Sequence, residues 1–478
     1  MNVLLTGATG YIGRRLKREL LSSYEDINLR LFVTDKRQVE EETASKVEIV
    51  EGNTFNTEAL QQALHGIDTA YYLIHSMRTE KRNIADLDRI SAANFIEECV
   101  RAGVKRIIYL GGLGENYSES WYLSSRHETG EILSSYPDKV ETIWFRAATI
   151  IGAGGASYII IKNLIEKLPL MPAPAWVRTF TQPIAVDDVM SYLVHALKTR
   201  FRGNTVVDIG GEKLTFLDML KQTSAFYSLK RVIIPLPFFS LRLSYYGLSL
   251  LTPIPFRLAS AIVSGFRSDS IITNNNAAEL FPDIRPLSFI EALKRAASEE
   301  TAEIVSHWSD GSSAWYNSLI KAQQSEMATH ISSYKKNISG LDRTRLWKSI
   351  ISIGGERGWL SMNILWDLRG FIDKFSGGPG INRGRRFIGD VRIGDSIDFW
   401  TVVDLVKGKR LLLAAQMKIP GKAWLEFILN DTHLIITAHF IPRGIYGRFY
   451  WYLFLPFHAL IFKGMLRRLT KECITGKF

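Results

Sequence analysis

Cysteine is scarce. Cys99 and Cys473 are the two in 478 residues, far apart along the chain. No disulfide framework is expected, and a reducing cytoplasm fits. Long apolar runs are also missing. The most apolar uncharged windows, Leu243 to Phe256 and Phe449 to Phe462, contain proline. Both fall short of the ~18 residues a spanning helix needs, so an integral membrane protein is not expected. The opening "MNVLLTGATG" has no basic n-region, long h-region or small-residue cleavage site, so no secretory signal is expected. No low-complexity segment, zinc cluster or Ser-His-Asp set is visible, and the metal prediction is none. Acidic residues are short in the last third. Residues 331–478 hold 24 Lys+Arg against 11 Asp+Glu, while the rest holds 35 against 37. The basic excess reads as a solvated surface or as attraction to anionic lipid. No nucleic-acid motif accompanies it, so no nucleic-acid partner is expected.

What is present is ordinary globular composition: 46% hydrophobic and 22% charged residues, in a chain long enough for two or three domains. "NVLLTGATGYIGRRLKRELL" begins with a strand, Val3 to Leu5, followed by Gly7, Gly10 and Gly13. Ile12, Leu16 and Leu20 then recur at helical spacing. Glycine permits the tight turn and the close approach of a phosphate, and the helix N-terminus supplies free N–H groups. The context supports dinucleotide binding. Further strands are expected at Leu29 to Val33, Val47 to Val50, Thr69 to Ile74, Ile107 to Leu110 and Thr142 to Phe145. Helical patterns lie between most of them. Alternation of this kind implies an α/β fold with a doubly wound parallel sheet. Ligand then sits beyond the carboxyl ends of the strands, at Gly7 to Gly13, Thr34-Asp35, Asn53, His75-Ser76, Gly111-Gly112 and Arg146-Ala147.

"TGATGYIG", "VEIVEGNTFNTEAL", "AGVKRIIYL" and "TQPIAVDDV" resemble the atypical short-chain dehydrogenase/reductase superfamily. The nearest branch is the NmrA-like, nucleoside-diphosphate-sugar-epimerase-like group. "AYYLIHSM" and "SRHETGEIL" narrow the resemblance to a bacterial subfamily with an extra C-terminal domain. It covers roughly residues 1 to 300. It implies a Rossmann domain with NAD(P) held by Gly7, Thr9, Gly10, Tyr11, Ile12 and Gly13. It also places Asn53 near the adenine, with His75, Ser76, Gly111 and Arg126 along the cofactor cleft. Asp35 after the second strand favours NAD, while Lys36 and Arg37 favour the 2′-phosphate of NADP. The nucleotide is left as NAD(P).

Members of the superfamily carry a serine after the fifth strand and a Tyr-x-x-x-Lys pair. Here the serine position reads Gly111-Gly112, and Arg126 stands where lysine would be, four residues after Tyr122. Residues at i and i+4 share a helix face. Tyr122 is the candidate acid/base, with Arg126 to stabilise its anion and hold the ribose. Arginine stays charged and cannot relay a proton. Tyr122 and Arg126 lining the cleft without catalysis is the competing reading. His75 and His127 are further candidates, each with a structural reading beside it.

Residues 152–300 would form the substrate side, in a domain spanning 1–325. "GASYIIIKNLIEKLPLMPAPAWVRTF" and "RVIIPLPFFSLRLSYYGLSLLTPIPF" suit an apolar pocket or lid, or simple packing. Ser306 to His330 is polar and reads as a domain end and linker. From 331 to 478 the pattern changes to a strand, two helices ("LDRTRLWKSIISIGG", "NILWDLRGFIDKF"), strand-like stretches and a long final helix. Phe454, His458, Ile461, Met465 and Leu469 mark one face of that helix, and Lys463, Arg467 and Lys471 another. The element order resembles the START-like, α+β helix-grip fold. That resemblance implies an apolar cavity; six of the 11 tryptophans lie there, as cavity lining or as dense core.

Two functions fit this pattern. One is an NAD(P)-dependent oxidoreductase acting on a small apolar, lipid- or quinone-like substrate. The other is a non-catalytic NAD(P)-binding sensor or assembly protein. Localisation is expected to be cytoplasmic, with peripheral contact at anionic membrane as a further option.

Overall fold

The computed structural model describes residues 1–75, 84–114, 120–236, 244, 246–248, 251–252, 254, 256–266, 268–301, 306–308, 318–375, 380 and 390–475. The chain divides into two compact units, Met1–Ser312 and Ser313–Phe478.

The first unit is built on a parallel sheet. Its strands are β1 (Asn2–Thr6), β2 (Asn28–Val33), β3 (Glu48–Glu51), β4 (Thr69–Tyr72), β5 (Arg106–Gly112), β6 (Glu141–Ala147) and β7 (Thr205–Ile209). They lie in the order β7-β6-β5-β4-β1-β2-β3. The chain runs outward from β1 through β2 to β3, then returns to place β4 on β1's other side. That reversal opens a crevice above β1 and β4, where open α/β sheets take ligands. Strand residues alternate between two buried layers. Leu5, Leu31, Ile108 and Phe145 pack on one side, and Leu4, Phe32, Tyr109 and Trp144 on the other. The expected strands agree with β1 to β6 to within a few residues. β7, inside "NTVVDIG", is an addition to the expected set.

Helices cover both faces. Those that shape the crevice are α1 (Tyr11–Ser23), α2 (Ile84–Ala102) and α3 (Trp121–Leu133). Residues 152–300 add a third core. In it Trp176 stacks on Phe266 at 5.7 Å, and Phe216 lies 4.9 Å from Phe266.

The second unit is an antiparallel sheet with helices. Its strands are β8 (His330–Asn337), β9 (Ser396–Ile397), β10 (Trp400–Val406), β11 (Arg410–Ala415), β12 (Gly421–Leu429) and β13 (His433–Pro442). Their order is β8-β13-β12-β11-β10-β9, so the first strand pairs with the last. Two of its helices, α4 (Asn363–Phe375) and α5 (Gly444–Thr475), carry much of its exposed apolar surface. Part of the expected linker is structured. Ser318–Glu326 is a helix of this unit, and its Ala322 packs against Val403, Leu412, Ala414 and Trp424.

The long final helix is present. It runs 32 residues, through Pro456. Among the described residues it is the one helix long and apolar enough to cross a membrane, yet only 28% of its most apolar stretch is buried. The uncharged window ends at cations that the helix carries on its outer face, so the window is shorter than the helix.

Candidate active site

β1 ends at Thr6, and Gly7 turns the chain with φ +66°, where an L side chain is strained. A Cβ at Gly7 would stand 2.6 Å from the Leu73 carbonyl oxygen. Gly10 N–H donates to the Gly7 carbonyl at 3.0 Å, closing the turn. Gly10 then caps α1 with no side chain on the helix end, and the first turn carries no acidic residue. A Cβ at Gly13 would lie 2.1 Å from the Gly7 oxygen, so only glycine lets the helix sit this close to the strand. Bare N–H groups and the positive helix end face the crevice and fit a pyrophosphate.

Thr9 is buried, and its carbonyl accepts from Arg14 Nε at 3.0 Å. The Tyr11 hydroxyl donates to the Ala153 carbonyl at 3.2 Å, and burial raises its pKa. Ile12 is partly buried against the first core layer. Three basic residues of α1 are committed to ion pairs. Arg14 and Lys17 pair with Glu40, and Arg15 with Glu299.

After β2, Asp35 accepts from the Arg37 backbone N–H at 3.0 Å and is clamped by the Arg37 guanidinium at 2.7 Å. The two residues that argued for different nucleotides thus neutralise each other. The Lys36 backbone N–H donates to Glu51 at 3.1 Å. Asn53, beyond β3, closes a local turn by accepting from Phe55 N–H at 2.9 Å. Ser76 lies outside the described residues.

Beyond β4 and β5 four side chains meet. Arg126 on α3 donates to the Leu110 carbonyl at 3.0 Å and to the Tyr122 hydroxyl at 3.4 Å, with its charge 5.5 Å from the Tyr122 ring centre. Burial opposes that charge, but the Tyr122 and Tyr109 oxygens hold it above its ordinary pKa. Arg126 Nε is buried without a partner. The His75 ring lies 5.3 Å from the Tyr122 ring. Its Nδ1 is 3.3 Å from the Asp88 carboxylate, while its Nε2 is buried and unpartnered. Burial, then the Arg126 charge, push His75 down to about 4, against the pull of Asp88. It is therefore neutral near pH 7. Asp88, on α2, also accepts from Ser125 at 3.0 Å.

One glycine of the serine position, Gly111, has a physical cause. A Cβ at Gly111 would stand 2.6 Å from Trp144 Nε1, and one at Gly130 would stand 2.4 Å from Trp144 Cε2. The indole of β6 occupies the space, and its Nε1 has no partner. His127 binds the Gly114 carbonyl at 3.1 Å and is buried; its contacts are structural. Arg146 is held by Asp208 at 2.6 Å. Asp88 and Trp144 are not evident as site residues in the sequence. Both act through contacts between distant segments, which leave no local pattern. Among the described residues no cluster could hold a metal ion.

Residues 7–162 match the family model described as NAD(P)H-binding. The match lies within the first unit, which holds an NAD(P)-binding Rossmann domain. Residues 326–465 match a second model, described as Protein of unknown function (DUF2867). Among solved structures, a nucleoside-diphosphate-sugar epimerase from Staphylococcus aureus is similar at TM-score 0.51 and 18% identity, covering 62% of this chain and 100% of that one. Triphenylmethane reductase from Citrobacter sp., solved with NADP(H), is similar at TM-score 0.51 and 17% identity, covering 62% and 99%. These likenesses concern the fold. A curated relative, sterol demethylase protein B of Methylococcus capsulatus, is 26% identical over 117 residues, which is 24% of this chain. The chain spans 35% of that relative's length.

Proposed function

We propose that the protein is an NAD(P)-dependent oxidoreductase acting on a carbonyl or alcohol of an apolar, lipid- or quinone-like substrate. The observation that carries this reading is the convergence of Tyr122, Arg126 and His75 beyond β4 and β5. The nucleotide, when bound, supplies or accepts the hydride. The Gly7–Gly13 turn holds its pyrophosphate. Tyr122 exchanges the proton at the substrate oxygen, and Arg126 stabilises the phenolate. Arg126 cannot pass that proton on. We assign that step to His75, whose Nδ1 is 3.3 Å from the Asp88 carboxylate and whose ring lies 5.3 Å from the Tyr122 ring. Trp144 Nε1 lies 2.6 Å from where a Cβ at Gly111 would stand.

The greasy residues of 152–300 support an apolar substrate, as does the resemblance of part of this chain to sterol demethylase protein B. We read the second unit as a START-like helix-grip module. The pairing of its first and last strands and the long closing helix support that reading. The buried, unpartnered ring nitrogens of Trp366, Trp400 and His458 support a ligand inside it, since such groups cost free energy until paired. Two free, buried cysteines fit a cytoplasmic protein.

The test is a screen of NADH and NADPH turnover with apolar carbonyl and alcohol substrates. Tyr122→Phe should lower turnover by ~10²–10⁴ and leave nucleotide affinity nearly unchanged. Equal turnover in the variant would remove Tyr122 from the chemistry. A second reading, a nucleotide sensor without turnover, is favoured by the missing serine hydroxyl. It predicts nucleotide binding with no substrate oxidised or reduced.

A further inference from the structure

The second unit leaves an unusual amount of apolar side chain in water. On α4, Ile364 is 82% exposed, and Leu368, Phe371 and Ile372 are each more than half exposed. Their spacing puts them on one helix face, opposite the buried Trp366, Gly370 and Asp373. On α5, Ile445, Phe449, Leu453 and Leu460 are exposed at 82%, 68%, 53% and 52%, again along one stripe. The two helices are neighbours. Arg369 of α4 hydrogen-bonds the Tyr450 hydroxyl of α5, and its guanidinium lies 5.5 Å from the Tyr450 and Phe454 ring centres.

Charge says what would cover this face. From Thr432 to Lys471 there is no Asp or Glu, but six cations: Arg443, Arg448, Lys463, Arg467, Arg468 and Lys471. All six are exposed. Arg443 and Arg448 flank the apolar start of α5. Lys463, Arg467 and Lys471 continue its outward stripe at helical spacing, so the stripe turns from apolar to basic. One outward acid, Asp367, lies on α4. Tyr446 and Tyr452, exposed at 84% and 63%, are amphipathic side chains suited to a headgroup layer.

We propose that this face docks on an anionic lipid bilayer, lying in the interface and not crossing it. The opposite side of α5, through Trp451, Ile461, Phe462, Met465 and Leu469, is committed to the protein core, so lipid cannot surround the helix. An apolar stripe backed by cations is the pattern of an interfacial helix. A second copy is a poorer occupant, because a self-complementary contact sets the same cations near one another. The proposal is independent of whether the first unit catalyses a reaction.

The test is co-sedimentation of the full chain with vesicles of phosphatidylcholine alone and of phosphatidylcholine mixed with phosphatidylglycerol, at low and high salt. The protein should partition more strongly onto the anionic vesicles, and salt should weaken the difference. The double variant Phe449→Ser/Leu453→Ser removes two large apolar side chains from the docking face. It should lower partitioning by at least about tenfold at either salt, with unfolding temperature unchanged because both positions are exposed. The triple variant Lys463→Gln/Arg467→Gln/Lys471→Gln should lose the preference for anionic vesicles. No partitioning of the wild type onto anionic vesicles would overturn the proposal. So would serine variants that bind as the wild type does. A concentration-dependent dimer, by light scattering, that both variants abolish and vesicles do not compete with would assign the face to a second copy and also overturn it.

Discussion

Acidification should destabilise the first unit through His75, and the amount follows from its surroundings. The ordinary imidazole value is 6.5, and in the folded protein it is held at about 4. Above pH 6.5 the ring is neutral in both folded and unfolded chains and adds nothing to the pH dependence. Below 6.5 the unfolded chain takes up a proton that the folded protein refuses, so stability falls with pH until about 4 and then levels off. Each pH unit in that window is worth about 1.4 kcal/mol. Going from about pH 7.5 to about pH 5 should therefore cost about 2 kcal/mol from this one group.

Carboxylates titrate over part of the same range, so the useful quantity is a difference. His75→Gln keeps a donor toward Asp88 and removes the titration. The two units have separate cores, so the transition to follow is the one that added NADPH raises. At pH 7.5 the variant should be the less stable protein or equal to wild type. At pH 5 the gap should have moved by about 2 kcal/mol in the variant's favour. A histidine ring signal that disappears in the variant should titrate well below 6.5 in the wild type. Parallel pH profiles for the two proteins would refute the argument, as would a ring that titrates near its ordinary value.

Two further substitutions probe the crevice. Gly13→Ala puts a methyl 2.1 Å from the Gly7 oxygen. It should destabilise by about 1–3 kcal/mol and abolish nucleotide binding by calorimetry; wild-type affinity would show that the strand and helix can separate at no loss. Gly111→Ser forces a Cβ against Trp144 and should cost a similar amount by chemical denaturation, while Gly111→Ser/Trp144→Phe should recover part of it. Strictly additive effects would mean that the two sites do not share space.

Local features of the fold are legible in the sequence. The Gly7–Gly13 turn needs only a strand, three glycines and a helical repeat, all within a dozen residues. Tyr122 and Arg126 pair by helical spacing alone. The α4 helix is readable end to end from "NILWDLRGFIDKF" because its apolar period is unbroken. The features that stay hidden depend on partners distant in sequence. His75 and Asp88 meet across a strand end and a helix. The Ser318–Glu326 helix looks like linker because its polar residues outnumber the Ala322 contact that anchors it. α5, by contrast, is legible as a long final helix from "RFYWYLFLPFHALIFKGMLRRLTKE", and its start at Gly444 is what the pattern does not mark.

The two functional readings of the crevice part at Trp144. A serine simply removed from an active site would leave a gap. Here there is none: the indole lies between Gly111 and Gly130, each of which would collide with it if it gained a Cβ. Gly111, Gly130 and Trp144 are thus one packing solution, whereas a Cβ at Gly112 would meet Leu123 Cδ2 at 2.9 Å. The solution also leaves a donor without an acceptor, because Trp144 Nε1 is buried and unpaired. Arg126 Nε and His75 Nε2 are also buried and unpaired. Buried polar atoms without partners cost free energy. A polar group that paired with any of them would recover that cost. A sensor needs the nucleotide alone, and Arg126 can meet that need. The catalytic reading we propose gives the neutral His75, its ring 5.3 Å from that of Tyr122 and its Nδ1 3.3 Å from Asp88, a part that the sensor reading does not.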